Sequence, residues 1–259
     1  MHGWSSGAAA VDVGIDVTPD LPEEREAGAT LKERTVGRSW QLFEPIDAAY
    51  ERGEIDAAEW HRRIGAIIGP AYQAAANPRG QSGSSSTPAE WEQARRYIFV
   101  AVNRDGTFLD VGCANGHLME CAVGWLAESG YHIEPYGLEI LPELAALARQ
   151  RLPQWADRIA VGNAIDWIPE RRFDFVRTGL EYVPRRLRPE LVRHLLDAAV
   201  AADGRLIIGA HSEVARSEPQ LQAEAAASWG FRIAGAVEVP HAYDDRVVRR
   251  AFWIDRSAR

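Results

Sequence analysis

Cysteine is nearly absent from this chain: its 259 residues include only Cys113 and Cys121. Two thiols without zinc-type spacing offer neither a disulfide framework nor a metal site, so the expected compartment is a reducing cytoplasm, with no metal. Long apolar runs are missing as well, and no membrane association is expected. The first residues lack the basic-then-apolar layout of a signal peptide. Positive charge is the scarcer sign, with 29 Lys and Arg against 37 Asp and Glu and a formal net charge of −8. This argues against a surface built to hold nucleic acid, although a local basic patch stays open. What is present is a hydrophobic content of 46%, enough for one large α/β domain plus an extension.

Two phosphate-binding signatures are also missing. The glycine-bearing stretch Phe108-Leu-Asp-Val-Gly-Cys-Ala-Asn-Gly-His-Leu118 reads as a short apolar strand ending in Asp110, a turn, and the start of an amphipathic helix. A dinucleotide fingerprint needs G-x-G-x-x-G, but the matching positions here are Gly112, Ala114 and His117. No G-K-[ST] follows, so it is not a Walker loop. What remains is D-x-G-x-x-x-G at a strand's carboxyl end. Backbone amides can approach a ligand there, and a carboxylate can accept from a cationic or polar group.

Residues 1–34 are rich in Ala, Gly, Pro and Glu with little periodicity and read as a tail. From Ser39 to Ala76 apolar residues recur at helical spacing. One helix is expected to stop at Gly53, and a second to start at a capping box from Asp56 to Glu59 and to be broken or kinked at Gly69-Pro70. The Gly- and Ser-rich stretch 77–86 is either a flexible linker or a lid. Thr87-Pro-Ala-Glu90 is a helix start with a full capping box, and the helix is expected to run to about Val102.

Strands are then expected at 107–111, 133–139, 158–162, 172–177 and 204–210, and helices at 116–129, 142–152, 188–201 and 217–228. Residues 231–239 and 246–254 are β-rich and joined by a loop too short for a crossover, which predicts an antiparallel hairpin. The expected fold is a Rossmann-like, doubly wound α/β sheet of about seven mostly parallel strands. The organisation is a tail (1–34), a helical extension or lid (35–86) and a main domain (87–259).

The turn, Glu139 at the end of the second strand and Gly162-Asn-Ala-Ile165 after the third together resemble the motifs of class I S-adenosylmethionine-dependent methyltransferases. The likeness covers roughly residues 87–254. It implies a cofactor pocket built from Asp110, Gly112, Cys113, Ala114, Asn115, Gly116 and Leu118. Glu139 would grip the ribose hydroxyls, with Ile140 beside it. Asn163, where the family often has Asp, would face the adenine together with Ala164 and Ile165. Arg177 and Thr178, in Phe173-Asp-Phe-Val-Arg-Thr178, would face cofactor or pocket, while Asp174 at the strand start reads as structural.

Catalytic candidates are Glu181, just past that strand, and His211, at the tip of the fifth. A solvated loop acid and a hydrogen-bonding loop histidine are the plainer readings of the two. One of Arg95 and Arg96 could meet the cofactor's carboxylate. The arginines at 185, 186, 188 and 193 fit either an acidic substrate or a solvated helix face.

The resemblance implies methyl transfer from S-adenosylmethionine to an O or N atom of a small molecule, of the kind met in specialised metabolism, with S-adenosylhomocysteine as product. Two rivals are an RNA methyltransferase and a non-catalytic cofactor-binding module. The acidity, and Arg177-Thr-Gly-Leu180 in place of an N/D-P-P-Y/F string, weigh against RNA.

Overall fold

The computed structural model describes residues 42–83, 87–214, 222–240 and 247–258. The tail, the first residues of the extension, 84–86, 215–221 with the start of the last expected helix, 241–246 and 259 lie outside the described residues. Helix α1 spans 42–51 and ends where Gly53 takes φ +73°. Helix α2 (Ala57–Ala74) begins at Asp56, whose side chain accepts from Glu59 N at 2.8 Å. Only half of the expected box forms, because the Glu59 carboxylate binds Arg62 and Arg63 instead. The expected break at Gly69-Pro70 is also corrected. Helix α2 runs through Pro70 to Ala74, since a proline this near the end removes one backbone bond and does not stop the last turn.

Helix α3 (Pro88–Arg95) has the complete capping box of Thr87 and Glu90. It stops earlier than expected. The chain tightens into a 3₁₀ run, Arg96–Ala101, that buries Tyr97, Ile98 and Phe99.

Strands β1 (Gly106–Val111), β2 (Ile133–Glu139), β3 (Ile159–Val161), β4 (Phe173–Thr178), β5 (Val200–Val214), β6 (Gly235–Pro240) and β7 (Val247–Asp255) form one sheet in the order β3-β2-β1-β4-β5-β7-β6. Neighbours from β3 to β5 pair in parallel, and β7 is antiparallel to both β5 and β6. Helices α4 (His117–Glu128), α5 (Pro142–Arg151), α6 (Arg188–Ala198) and α7 (Gln222–Ser228) lie between strands.

Several boundaries move. Strand β5, expected at 204–210, runs Val200–Val214, so His211 lies inside the strand and not at its tip. Helix α6 ends at Ala198 because β5 starts at Val200, where Phe173 N donates to Ala199 O and Phe173 pairs with Val200. Strand β6 starts only at Gly235, since Phe231 and Ile233 pack against the core.

Alternation along the strands makes two cores. Leu109, Val176, Leu206 and Phe252 pack with Leu191, Leu195 and Ala226 of α6 and α7. On the other face Phe108, Phe175, Ile207 and Ala251 pack with Trp91, Ile98, Ala122 and Trp125. Asp110 and Arg177 continue that second face, two residues beyond Phe108 and Phe175, and sit side by side in register. The packing that holds α3 on the sheet thereby directs a carboxylate and a guanidinium under its end.

Candidate active site

The turn after β1 is stitched to β2, with Gly112 N and Cys113 N both donating to Leu138 O at 2.8 and 3.1 Å. Gly112 has φ +76° and Gly116 +77°, and Ala114 between them has φ +48°. An alanine in the left-handed region costs about 1 kcal/mol. The Ala114 N–H offsets that cost by donating to Glu139 Oε2 at 2.8 Å. The residue that breaks the glycine pattern thus still takes a glycine-like backbone. Gly116 serves packing, since a Cβ there would lie 2.6 Å from Leu152 Cδ1. Gly112 faces the site, where a Cβ would lie 2.6 Å from the Tyr182 ring.

Glu139 is buried at the tip of β2 and accepts from Leu141 N at 2.9 Å through its other oxygen. Burial pushes its carboxyl up, with the backbone N–H groups of Leu141, Ala114 and Ile140 opposing. Each oxygen keeps a lone pair for a further donor. Asn163 forms a side-chain turn by accepting from Ile165 N at 3.2 Å. Ala164 is buried, Ile165 packs on the core edge and Ile140 is exposed. Cys113 and Leu118 point inward, so Cys113 brings only its backbone to the turn. Thr178 is buried, its hydroxyl on Gly179 O.

Asn115 holds the extension. Its Oδ1 accepts from Ser82 Oγ at 2.5 Å and His117 N at 3.1 Å, and its Nδ2 donates to Pro78 O and Gln81 Oε1 at 3.0 and 3.1 Å. Residues 78–82 of the Gly- and Ser-rich stretch are therefore fastened to the turn.

Charge is concentrated under α3. Asp110 Oδ1 accepts from Arg177 Nη1 at 3.1 Å, and Asp110 Oδ2 is buried and accepts nothing. Burial pushes the Asp110 carboxyl up, against the pull of Arg177 and Arg95. Arg177 Nη1 also donates to Tyr182 OH at 3.0 Å. Arg95 is 3% exposed, lies over the Trp91 ring and donates to Ala94 O at 3.3 Å. Burial lowers its pKa, and nearby Arg177 lowers it further. The neighbouring Arg96 instead turns outward to Glu92 and Glu128. Of the expected pair, Arg95 alone reaches the site.

Burial raises the Tyr97 phenol to about 12, with Arg95, Arg249 and Arg177 in electrostatic reach. Glu181 lies beside Arg177 and Tyr182 in this group. The side chain of His211, in β5, lies outside the described residues.

Three contributors carried no sequence signal. His61 of α2 places Nε2 3.1 Å from Tyr182 O and Nδ1 3.4 Å from Asn163 Nδ2, joining residues more than a hundred positions apart. Tyr72, also of α2, feels Glu139, Arg95 and Glu181, and burial raises its phenol to about 12. Arg249, fully buried in β7, lies in a plain β-rich run. Of the four arginines at 185, 186, 188 and 193, two are fasteners: Arg186 pairs with Glu51 of α1 at 2.7 Å, and Arg188 Nε donates to Leu180 O.

No known family model and no curated protein sequence matches the chain. Solved structures do. The N-methyltransferase NodS from Bradyrhizobium japonicum WM9, in complex with S-adenosyl-L-homocysteine, matches at TM-score 0.51 and 16% identity, over 73% of this chain and 96% of that one. This chain has the class I methyltransferase fold. Weaker likenesses run to a S-adenosylmethionine-dependent methyltransferase from Geobacter sulfurreducens (TM-score 0.49, 12% identity, 73% and 97% coverage). The glycopeptide N-methyltransferase MtfA follows (0.47, 15%, 62% and 85%). In the class I methyltransferase fold of this chain, the turn, Glu139, Asn163 and Arg177 all stand at the carboxyl ends of the parallel strands, where α/β sheets hold ligands. A shallow concavity lined by Thr107, His132 and Asp174 lies at the opposite end of β1. Among the described residues no helix is long and apolar enough to cross a membrane, and no three His, Cys, Asp or Glu side chains gather as a metal site.

Proposed function

We propose that this chain binds S-adenosylmethionine and transfers its methyl group to an O or N atom of a small molecule. One observation carries the reading. Two opposite charges are buried within electrostatic reach of each other at the ligand edge of the sheet: Asp110 Oδ2 accepts nothing, and Arg95 lies over the Trp91 ring with one hydrogen bond to the Ala94 carbonyl. A buried carboxylate and a buried guanidinium in this state suit the α-ammonium and α-carboxylate of an amino-acid moiety. Glu139 has lone pairs left for ribose hydroxyls, and Asn163 with Ala164 N–H would meet the adenine.

The bound cofactor supplies a methyl group already activated on a sulfonium. The chain must hold the acceptor in line and exclude water. Residues 42–83 would serve as the site's cover, a role supported by the contacts of Asn115 with Pro78, His61 with Tyr182 and Arg186 with Glu51. Glu181 and His211 are the candidates for taking the acceptor's proton. Titration calorimetry with S-adenosylhomocysteine tests the reading. Binding is expected, weakened by about tenfold or more in Arg95→Met through loss of a charge-assisted contact. Absence of heat from a folded sample would sink it.

A further inference from the structure

Gly112 leaves out a Cβ, and in this structure Tyr182 fills the room: its ring atoms Cε2, Cζ and Cδ2 come within 2.6–3.1 Å of where that Cβ would stand. The ring is latched in place, because Tyr182 OH accepts from the same Arg177 Nη1 that donates to Asp110, and the guanidinium lies 5.8 Å from the ring centre. The backbone on either side is tied down separately, Tyr182 O to His61 Nε2 and Leu180 O to Arg188 Nε. The position of the ring is therefore set by the Arg177 bond and not by the bonds that hold its loop. No second group can share the space over Gly112 with the ring.

We propose that Tyr182 is a gate on the cofactor site: its ring must leave Gly112, releasing Arg177, before the amino-acid end of the cofactor can settle between Asp110 and Arg95. The inference rests on the S-adenosylmethionine reading. The Arg177 bond is charge-assisted, so it sets the closed fraction, and observed affinity and association rate scale with the open remainder. His61 ties the backbone beneath the gate to α2 at Tyr182 O.

The test is stopped-flow association of S-adenosylhomocysteine followed by intrinsic tryptophan fluorescence, with Trp91 beneath Arg95 among the reporters. Tyr182→Phe keeps the ring and removes the latch. It is expected to bind roughly tenfold faster than wild type, the gain expected when an open fraction of about one in ten becomes dominant. Tyr182→Ala removes ring and latch and is expected to be faster still. Association unchanged or slower in Tyr182→Phe, with wild type binding, overturns the gate and leaves the cofactor reading intact. No binding by wild type or either variant overturns both.

Discussion

Asp110 and Asp174 stand at opposite ends of adjacent strands and show what separates a binding carboxylate from a structural one. Asp174 accepts from Thr107 N and Oγ1 at 2.8 and 2.9 Å and from Arg104 Nη2 at 2.7 Å. Despite partial desolvation, these donors hold its carboxyl below the usual range. Asp110 is 1% exposed, has one partner and one oxygen with none, and burial pushes its carboxyl up. The first arrangement is satisfied as it stands. In the second, a buried acceptor stays unfilled in a low-dielectric site, an arrangement that stabilises the fold less than it prepares for a ligand.

The sharpest way to break the contrast is Asp110→Asn. It should weaken S-adenosylhomocysteine binding by about a hundredfold in calorimetry, since it discharges the group opposite a ligand ammonium inside a buried site. Near-normal affinity would put Asp110 with Asp174 as a purely structural residue. Asp174→Ala should lower the unfolding free energy by about 2–3 kcal/mol in urea titrations, because it strips partners from Thr107 and Arg104. Its cofactor affinity should stay within about twofold. A matching loss of affinity would erase the distinction.

Acid should separate the two carboxylates in order. Asp174 is depressed, so its contribution is fully present above the unfolded carboxylate pKa of about 3.9 and is lost as pH falls through its lower folded value. Asp110 is raised, so it takes up a proton at higher pH, and cofactor affinity should begin to fall while stability still holds. Calorimetry and urea midpoints across the same pH series check the order, and a simultaneous onset would contradict it. The smallest effect belongs to Arg96→Ala, which breaks half-exposed pairs with Glu92 and Glu128. It should change stability by about 0.5 kcal/mol or less and leave cofactor binding unchanged, in contrast to Arg95 one residue away.

Much of the fold was legible because its signals are local. Thr87 and Glu90 cap α3 three residues apart, and alternation marked β1, β2 and β4 to within a residue. Misreadings arose where a side chain had a nearer competitor. Glu59 left its box for Arg62 and Arg63, and α2 passed Pro70 because the neighbouring turns held. In the site, Asp110 and Glu139 stood out by their spacing after strands. Ala114 looked like a departure from pattern until its backbone conformation and its bond to Glu139 were seen.

By itself the sequence determined the alternation of strands and helices, the turn at Gly112–Gly116 and the acids at the strand tips. Each of these depends on neighbours a few residues apart. Only the tertiary structure decided that Arg95 and not Arg96 turns inward, that His61 meets Tyr182 and Asn163, and that Tyr182 lies over Gly112. Those outcomes depend on which helix face the core buries and on contacts closed across long stretches of chain, and local pattern does not encode either.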